Sequence, residues 1–270
     1  MVSADADNRT LEGDAECAGE AGAHVGDLMR RKYRVGMLEG SANVTGAAGV
    51  PLISPQSRLR PLAKSLGSPE EIAQTIKRLY ERGLVSGVGG NASVIVRPKE
   101  QVLITPAGFF KGGVASGDIV KVNLDGKVSG GGTPSSELPT HLLAYRLRGD
   151  ICAIVHAHPP AAVGLVTAGL QIPVMTPEHA VMVRRLETVD FATPGAAGAA
   201  AVAESLKVCD VVGVRNHGFF SLGKDLHEAA SRLEVLEESA RVYLAGKLAG
   251  GVTGLTEVEQ KRIRGAYGRE

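Results

Sequence analysis

Residues 151–155, Ile-Cys-Ala-Ile-Val, form an unbroken apolar run that ends abruptly in His156-Ala157-His158-Pro159-Pro160. A strand with no polar face is buried on both sides, so the sheet that contains it lies between two layers. The two prolines end the strand and start the next element, which leaves both histidines at the mouth of the sheet rather than inside it.

The rest of the chain supplies those layers. Ser68-Pro69-Glu70-Glu71 combines a helix N-cap, a proline at the first helical position and a glutamate able to reach back. Ile72, Ile76, Leu79 and Leu84 follow near helical spacing. Strand-like stretches come next at 92–96, 102–105 and 119–124, with Asp125-Gly126 as a turn signal. A glycine-rich loop at 129–133 leads to a helix near 137–148, and 161–168 reads as a further helix. Residues 210–215 are another β-branched strand, 226–248 a long amphipathic helix, and about 256–267 a last helix. Strands and helices alternate, so an α/β fold of three layers, helices on both faces of a sheet, is the expected packing.

Residues 1–66 differ. They are rich in Ala and Gly and contain no run that would bury a face. We read 1–66 as a flexible extension or an over-called start, with Met29 or Met37 the true first residue, and 67–270 as the catalytic domain. No stretch approaches the roughly 18 apolar residues of a membrane span, and the first thirty residues carry no apolar core of a secretory signal. A formal net charge of +1, 4% aromatic residues and no Trp argue against a nucleic acid or an acidic membrane as partner. Cys17, Cys152 and Cys209 are an odd set without metal-site spacing, and a reducing cytoplasm is the expected home.

Chemistry concentrates at strand ends. His156 and His158 point to one side of their strand, about 6.6 Å apart along it, so both imidazoles can converge on one ion. His217 holds an equivalent position, where the run 211–215 gives way to Asn216-His217-Gly218. A lone His-x-His is a weak signal; a third strand-end histidine strengthens it. Three imidazoles with an open fourth position describe a catalytic zinc. Pro134-Ser135-Ser136-Glu137 opens the helix before the metal strand, which is ordinary capping chemistry and equally a site for a phosphate dianion. Glu137 could then face the metal and move a proton. Gly87-Val88-Gly89-Gly90-Asn91 and Thr105-Pro106-Ala107-Gly108 offer backbone amides to the same anion, whereas Lys111 taken alone reads as a surface lysine. His141, one turn after Glu137, fits either a structural or a functional role.

Gly90-Asn91-Ala92-Ser93, Thr105-Pro106-Ala107-Gly108, Ser135-Ser136-Glu137, His156-Ala157-His158 and Asn216-His217-Gly218 stand in the order and spacing of the class II aldolase/adducin family. The resemblance spans about residues 68–267. It implies a central mixed, largely antiparallel sheet, a homotetramer with sites between subunits, and a small sugar phosphate as substrate. It also implies one Zn2+ per subunit, or another divalent metal, on His156, His158 and His217, with Glu137 as a further ligand and the acid/base. Asn91, Thr105, Gly108, Ser135 and Ser136 match positions around the substrate phosphate. Tyr267 matches a tail tyrosine that protonates the aldehyde. The likeness is strongest to members that cleave L-fuculose 1-phosphate to dihydroxyacetone phosphate and an aldehyde. A tyrosine those members carry beyond an Ile-Pro turn is missing after Ile172-Pro173, where Glu178 and His179 stand instead. A methylthioribulose-phosphate dehydratase, a sugar-phosphate 4-epimerase and a non-enzymatic adducin-like module are the rival expectations.

Overall fold

A computed structural model describes residues 67–268; the expected extension 1–66 lies outside the described residues. The chain order is α1 (Pro69–Glu81), β1 (Asn91–Val96), β2 (Gln101–Ile104), β3 (Val120–Asn123), α2 (Leu138–Leu147), β4 (Ala153–Ala157) and α3 (Pro160–Thr167). A π-helical turn (His179–Val183), β5 (Leu186–Val189), α4 (Ala196–Val208), β6 (Val211–Val214), β7 (Gly218–Gly223), α5 (Leu226–Leu248) and α6 (Glu257–Ala266) complete it. The seven strands form one sheet in the order β3-β2-β1-β4-β7-β6-β5. Only the β5–β6 pair is parallel; the other pairs are antiparallel. The expected mixed, largely antiparallel sheet is therefore what forms.

Alternation along the central strands divides the core in two. Val94, Val155 and Phe219 face one way, against Ile72 and Ile76 of α1, Ala162 of α3 and Leu233 of α5. Ile95, Ile154 and Phe220 face the other, against Leu142 of α2 and Leu206 of α4. All five residues of β4 are buried, as an all-apolar central strand requires. Asn91 lies directly opposite His156 in the β1–β4 register, so the end of β1 and the end of β4 open at the same rim.

The helix starts follow their local chemistry. Ser68 caps α1 by accepting the Glu71 N–H at 3.3 Å, while Glu71 reaches one residue further back, to the Gly67 N–H at 3.0 Å. Thr256 and Glu259 cap α6 reciprocally. Elements absent from the sequence reading are the π-helical turn, β5, α4 and β7. The α4 segment, Ala-Ala-Gly-Ala-Ala-Ala-Val-Ala, carries too few large apolar residues to print a period. β7 begins directly at Gly218, so β6 and β7 form a hairpin around Asn216-His217. Asn216 turns it with φ 59°, a left-handed conformation that asparagine tolerates. Among the described residues no helix is long and apolar enough to cross a membrane.

Candidate active site

The hairpin turn and the end of β4 bring His156, His158 and His217 together, with one candidate ligand nitrogen from each lying within 4.8 Å of the others. The Nε2 atoms of His156 and His158 are 2.9 Å apart. Glu137 Oε2 lies 3.1 Å from His156 Nε2, and Oε1 lies 3.7 Å from His217 Nε2. Backbone hydrogen bonding fixes what these atoms are. His156 Nδ1 sits 3.1 Å from the Phe219 carbonyl, which can only accept, so the ring donates from Nδ1 and turns a bare Nε2 lone pair toward the cluster. His156 is 1% exposed and stacks on Phe220 with ring centroids 4.3 Å apart.

A bare nitrogen facing a carboxylate oxygen is repulsive unless something electron-poor lies between them. Glu137 Oε2 is buried and has no hydrogen-bond donor. Burial raises the Glu137 carboxyl to about 7, opposed by a hydrogen bond from Asn91. Burial and the neighbouring imidazoles hold His156 well below its ordinary value, and burial brings His158 down to about 4. Neutral imidazoles, His156 with its lone pair turned inward, and an orphaned carboxylate oxygen beside them are a donor set that suits a divalent cation such as zinc.

The same pocket is lined by Asn91, Gly108, Lys111, Ser135, Ser136 and Glu137. Thr105 is not among the lining residues. It is fully buried, and its Oγ1 accepts the Ala92 N–H at 3.2 Å, so it braces the start of β1 from behind. The helix before β4 also differs from the reading that gave its free amides to a phosphate. Glu137 itself occupies the N-cap position of α2. Its N–H goes to Ser135 Oγ at 3.3 Å, and the Leu138 N–H goes to the Ser135 carbonyl at 3.0 Å. Residue 139 is proline and has no N–H, while the Thr140 and His141 N–H groups return to the Glu137 carbonyl. The Ser136 N–H, just before the helix, is the one amide of 135–141 left without a partner among the described residues.

Lys111 takes that role more convincingly than the sequence suggested. It is not a surface lysine but 2% exposed, and its Nζ donates to the Pro106 carbonyl at 3.1 Å. Among the described residues no carboxylate pairs with it, and burial lowers its pKa. A buried ammonium without a counter-charge is costly, which is the condition an anionic ligand relieves. The loop beneath holds it inside: the Lys111 N–H is tied to the Gly87 carbonyl at 2.8 Å, and Phe110 packs edge-on against Tyr80.

Other expected residues lie elsewhere. Tyr267 is 65% exposed at the end of α6, beside Pro177 and Leu255, and does not line this chain's own pocket. Glu178 is exposed and His179 is buried in the π-helical turn; neither lines the pocket. His141 joins the interior behind Asn91 rather than the histidine cluster.

Gly218 permits the cluster to close. A Cβ there would meet His158 Cδ2 at 2.4 Å, the Ala157 carbonyl at 2.6 Å and His156 Cε1 at 3.0 Å. We expect Gly218→Ala to lower the metal retained after dialysis at least ~10-fold, the scale on which supporting residues act on metal sites, with circular dichroism near wild type. Metal content by plasma mass spectrometry is the check, and full retention would show that the histidines need no such clearance.

Comparison with known proteins agrees with this geometry. The family description Class II Aldolase and Adducin N-terminal domain matches residues 70–244. An L-fuculose phosphate aldolase of Methanocaldococcus jannaschii is 36% identical over 181 residues, covering 66% of this chain and 97% of that protein. A 3-oxo-tetronate 4-phosphate decarboxylase of Haemophilus influenzae is 30% identical, covering 74% and 98%. The solved structure of an L-fuculose 1-phosphate aldolase superposes with a TM-score of 0.70 at 31% identity, covering 74% of this chain and 95% of that one. The chain belongs to the class II aldolase and adducin family and is an aldolase-type enzyme.

Proposed function

We propose that the protein is a zinc-dependent aldolase that reversibly cleaves a ketose 1-phosphate of the L-fuculose 1-phosphate kind to dihydroxyacetone phosphate and an aldehyde. The observation that carries this reading is a pocket in which His156, His158 and His217 converge on the orphaned oxygen of Glu137 beside a buried Lys111 that no carboxylate of the described residues pairs with. One side is built for a divalent cation and the other for an anion, which together describe a phosphorylated substrate with an oxygen-rich reacting end. His156, His158, His217 and Glu137 would hold the metal, whose chemistry when bound is Lewis acidity toward the carbonyl and hydroxyl oxygens of the ketose.

The chain's own residues divide the remaining work. Lys111, the Ser135 and Ser136 hydroxyls, the Asn91 amide and the backbone at Gly108 grip the phosphate and orient the carbon chain. Glu137 moves the proton at carbon, removing it in the condensation direction and returning it after cleavage. Burial favours its protonated form, which suits a carboxyl that must give the proton back as well as take it. Tyr267 would handle the proton on the aldehyde oxygen. Because it stands exposed and away from its own pocket, we assign it to the site of a neighbouring subunit in a homotetramer.

Metal-loaded protein is expected to release dihydroxyacetone phosphate from L-fuculose 1-phosphate. Chelation should abolish release, zinc should restore it, and Glu137→Gln should lower kcat at least ~100-fold. Decarboxylation of a 3-oxo acid phosphate by the same preparation, without aldol cleavage, would overturn the assignment. Replacing Lys111 with Met should raise KM for a phosphorylated substrate ~10–100-fold, the worth of one charge-assisted hydrogen bond, with kcat within a few fold; an unchanged KM would remove Lys111 from the anion site. Mixing inactive Glu137→Gln and Tyr267→Phe subunits should regain measurable activity through hybrid sites, whereas no recovery after subunit exchange would confine Tyr267 to a structural role.

A further inference from the structure

Behind the pocket four buried polar side chains stand in single file. Tyr145 Oη lies 2.7 Å from Ser93 Oγ, Ser93 Oγ lies 2.6 Å from His141 Nδ1, and His141 Nε2 lies 2.7 Å from Asn91 Oδ1. Their exposures are 2%, 0%, 0% and 4% in that order. Asn91 and Ser93 are two residues apart on β1, and His141 and Tyr145 are four apart on α2, so each pair shares a face. The strand and the helix were therefore matched at two points, and Phe220 closes the flank, edge-on to the His141 ring with centroids 6.2 Å apart.

Such a file is an expensive way to fill a core, because each member depends on the next for its partner. Leu, Ala and Phe would fill the same volume without that dependence. What the file delivers is direction. The Asn91 amide places its Oδ1, not its N–H2 group, 2.7 Å from His141 Nε2. His141 then donates from Nε2 and leaves Nδ1 to accept the Ser93 hydroxyl proton. The Ser93 oxygen in turn accepts from Tyr145. One arrangement of protons satisfies every link, and it starts from a neutral imidazole, the form that burial enforces on His141 by lowering its pKa to about 3.

We propose that His141, backed by Ser93 and Tyr145, is a positioning residue that locks the Asn91 amide with its N–H2 turned to Glu137 and the anion pocket. An asparagine free to flip would also sample the orientation with Oδ1 toward the same carboxylate, placing two acceptors against each other. With the lock, substrate meets a donor that is already oriented and pays nothing to turn it. The catalytic consequence rests on the aldolase reading; the direction of the file does not.

The experiment has two arms. Long-range 1H–15N spectra of zinc-loaded, full-length protein, with His141 assigned by its loss in His141→Gln, report the tautomer without any substrate. The Nε2–H tautomer is expected between pH 6 and 8, and an Nδ1–H tautomer would mean the file runs the other way and overturn the proposal. The second arm is a double-mutant cycle on kcat/KM for L-fuculose 1-phosphate. His141→Leu should cost ~10–100-fold with metal content unchanged, and His141→Gln, which keeps a donor near the Nε2 position, should recover most of it. In an Asn91→Ala background the same His141→Leu change should cost less than about 2-fold, because it acts only through Asn91. Full additivity would overturn the proposal. If no ketose phosphate is cleaved by wild type, the aldolase reading fails alone, and the cycle is read instead in the Kd for inorganic phosphate, where the same coupling or additivity decides.

Discussion

Lone pairs that point at one another set the terms for this molecule. Three imidazoles and a carboxylate share a rim at the end of a sheet, and burial keeps the imidazoles neutral. His156 has already spent its only proton on the Phe219 carbonyl. Burial opposes protonating any imidazole of the cluster to make a donor. Everything around the rim then reads as the means of holding a repulsive arrangement in place until a cation relieves it: an all-buried β4, a hairpin turned on Asn216, and a glycine where any Cβ would collide. Such frustration is stored locally and offset by the rest of the fold. Here the offset comes from two well-filled layers and from the Arg232–Asp210–Arg148 ion-pair set, which ties α5, the start of β6 and the end of α2 together.

Much of this was legible in the residues. The apolar run into His156 and His158, the β-branched run into His217, and the capping signature at Ser68 each carry their reason locally, so strand ends and helix starts fell close to where they form. The elements that escaped have physical excuses. Burial of α4 depends on Gly198, Ala199, Val202, Ser205 and Leu206, a face made mostly of small side chains that leaves no strong periodic mark. β7 hides behind the glycine of the hairpin turn, and its Phe219 and Phe220 face opposite layers, a pattern that two adjacent phenylalanines do not announce.

The site was legible in outline and not in orientation. Motif order brings Asn91, Gly108, Ser135, Ser136 and Glu137 to one pocket with the histidines, but it says nothing about which way a hydroxyl or an amide turns. Thr105 is one residue outside β2 and its side chain turns inward to hold Ala92. Lys111 was discounted because lysines are usually solvated, and only the surrounding loops reveal that this one is not. The amides of Glu137, Leu138, Thr140 and His141 turn out to be used locally and Pro139 contributes none, which leaves an anion only the Ser136 N–H just before the helix. Properties that depend on the path of the backbone around a residue need the fold; properties that depend on spacing along an element do not.

The pairing of Asn91 with His156 across β1 and β4 has a consequence for how such a chain can change length. Adding or deleting one residue inside β1 would rotate Asn91 and Ser93 to the opposite layer, taking them from His141 and setting them against α1. The exposed glycine-rich stretch at 129–132 meets no such constraint, so insertions there would leave the pairing untouched. Over many generations, variation in length should collect in that loop, while β1 keeps its count.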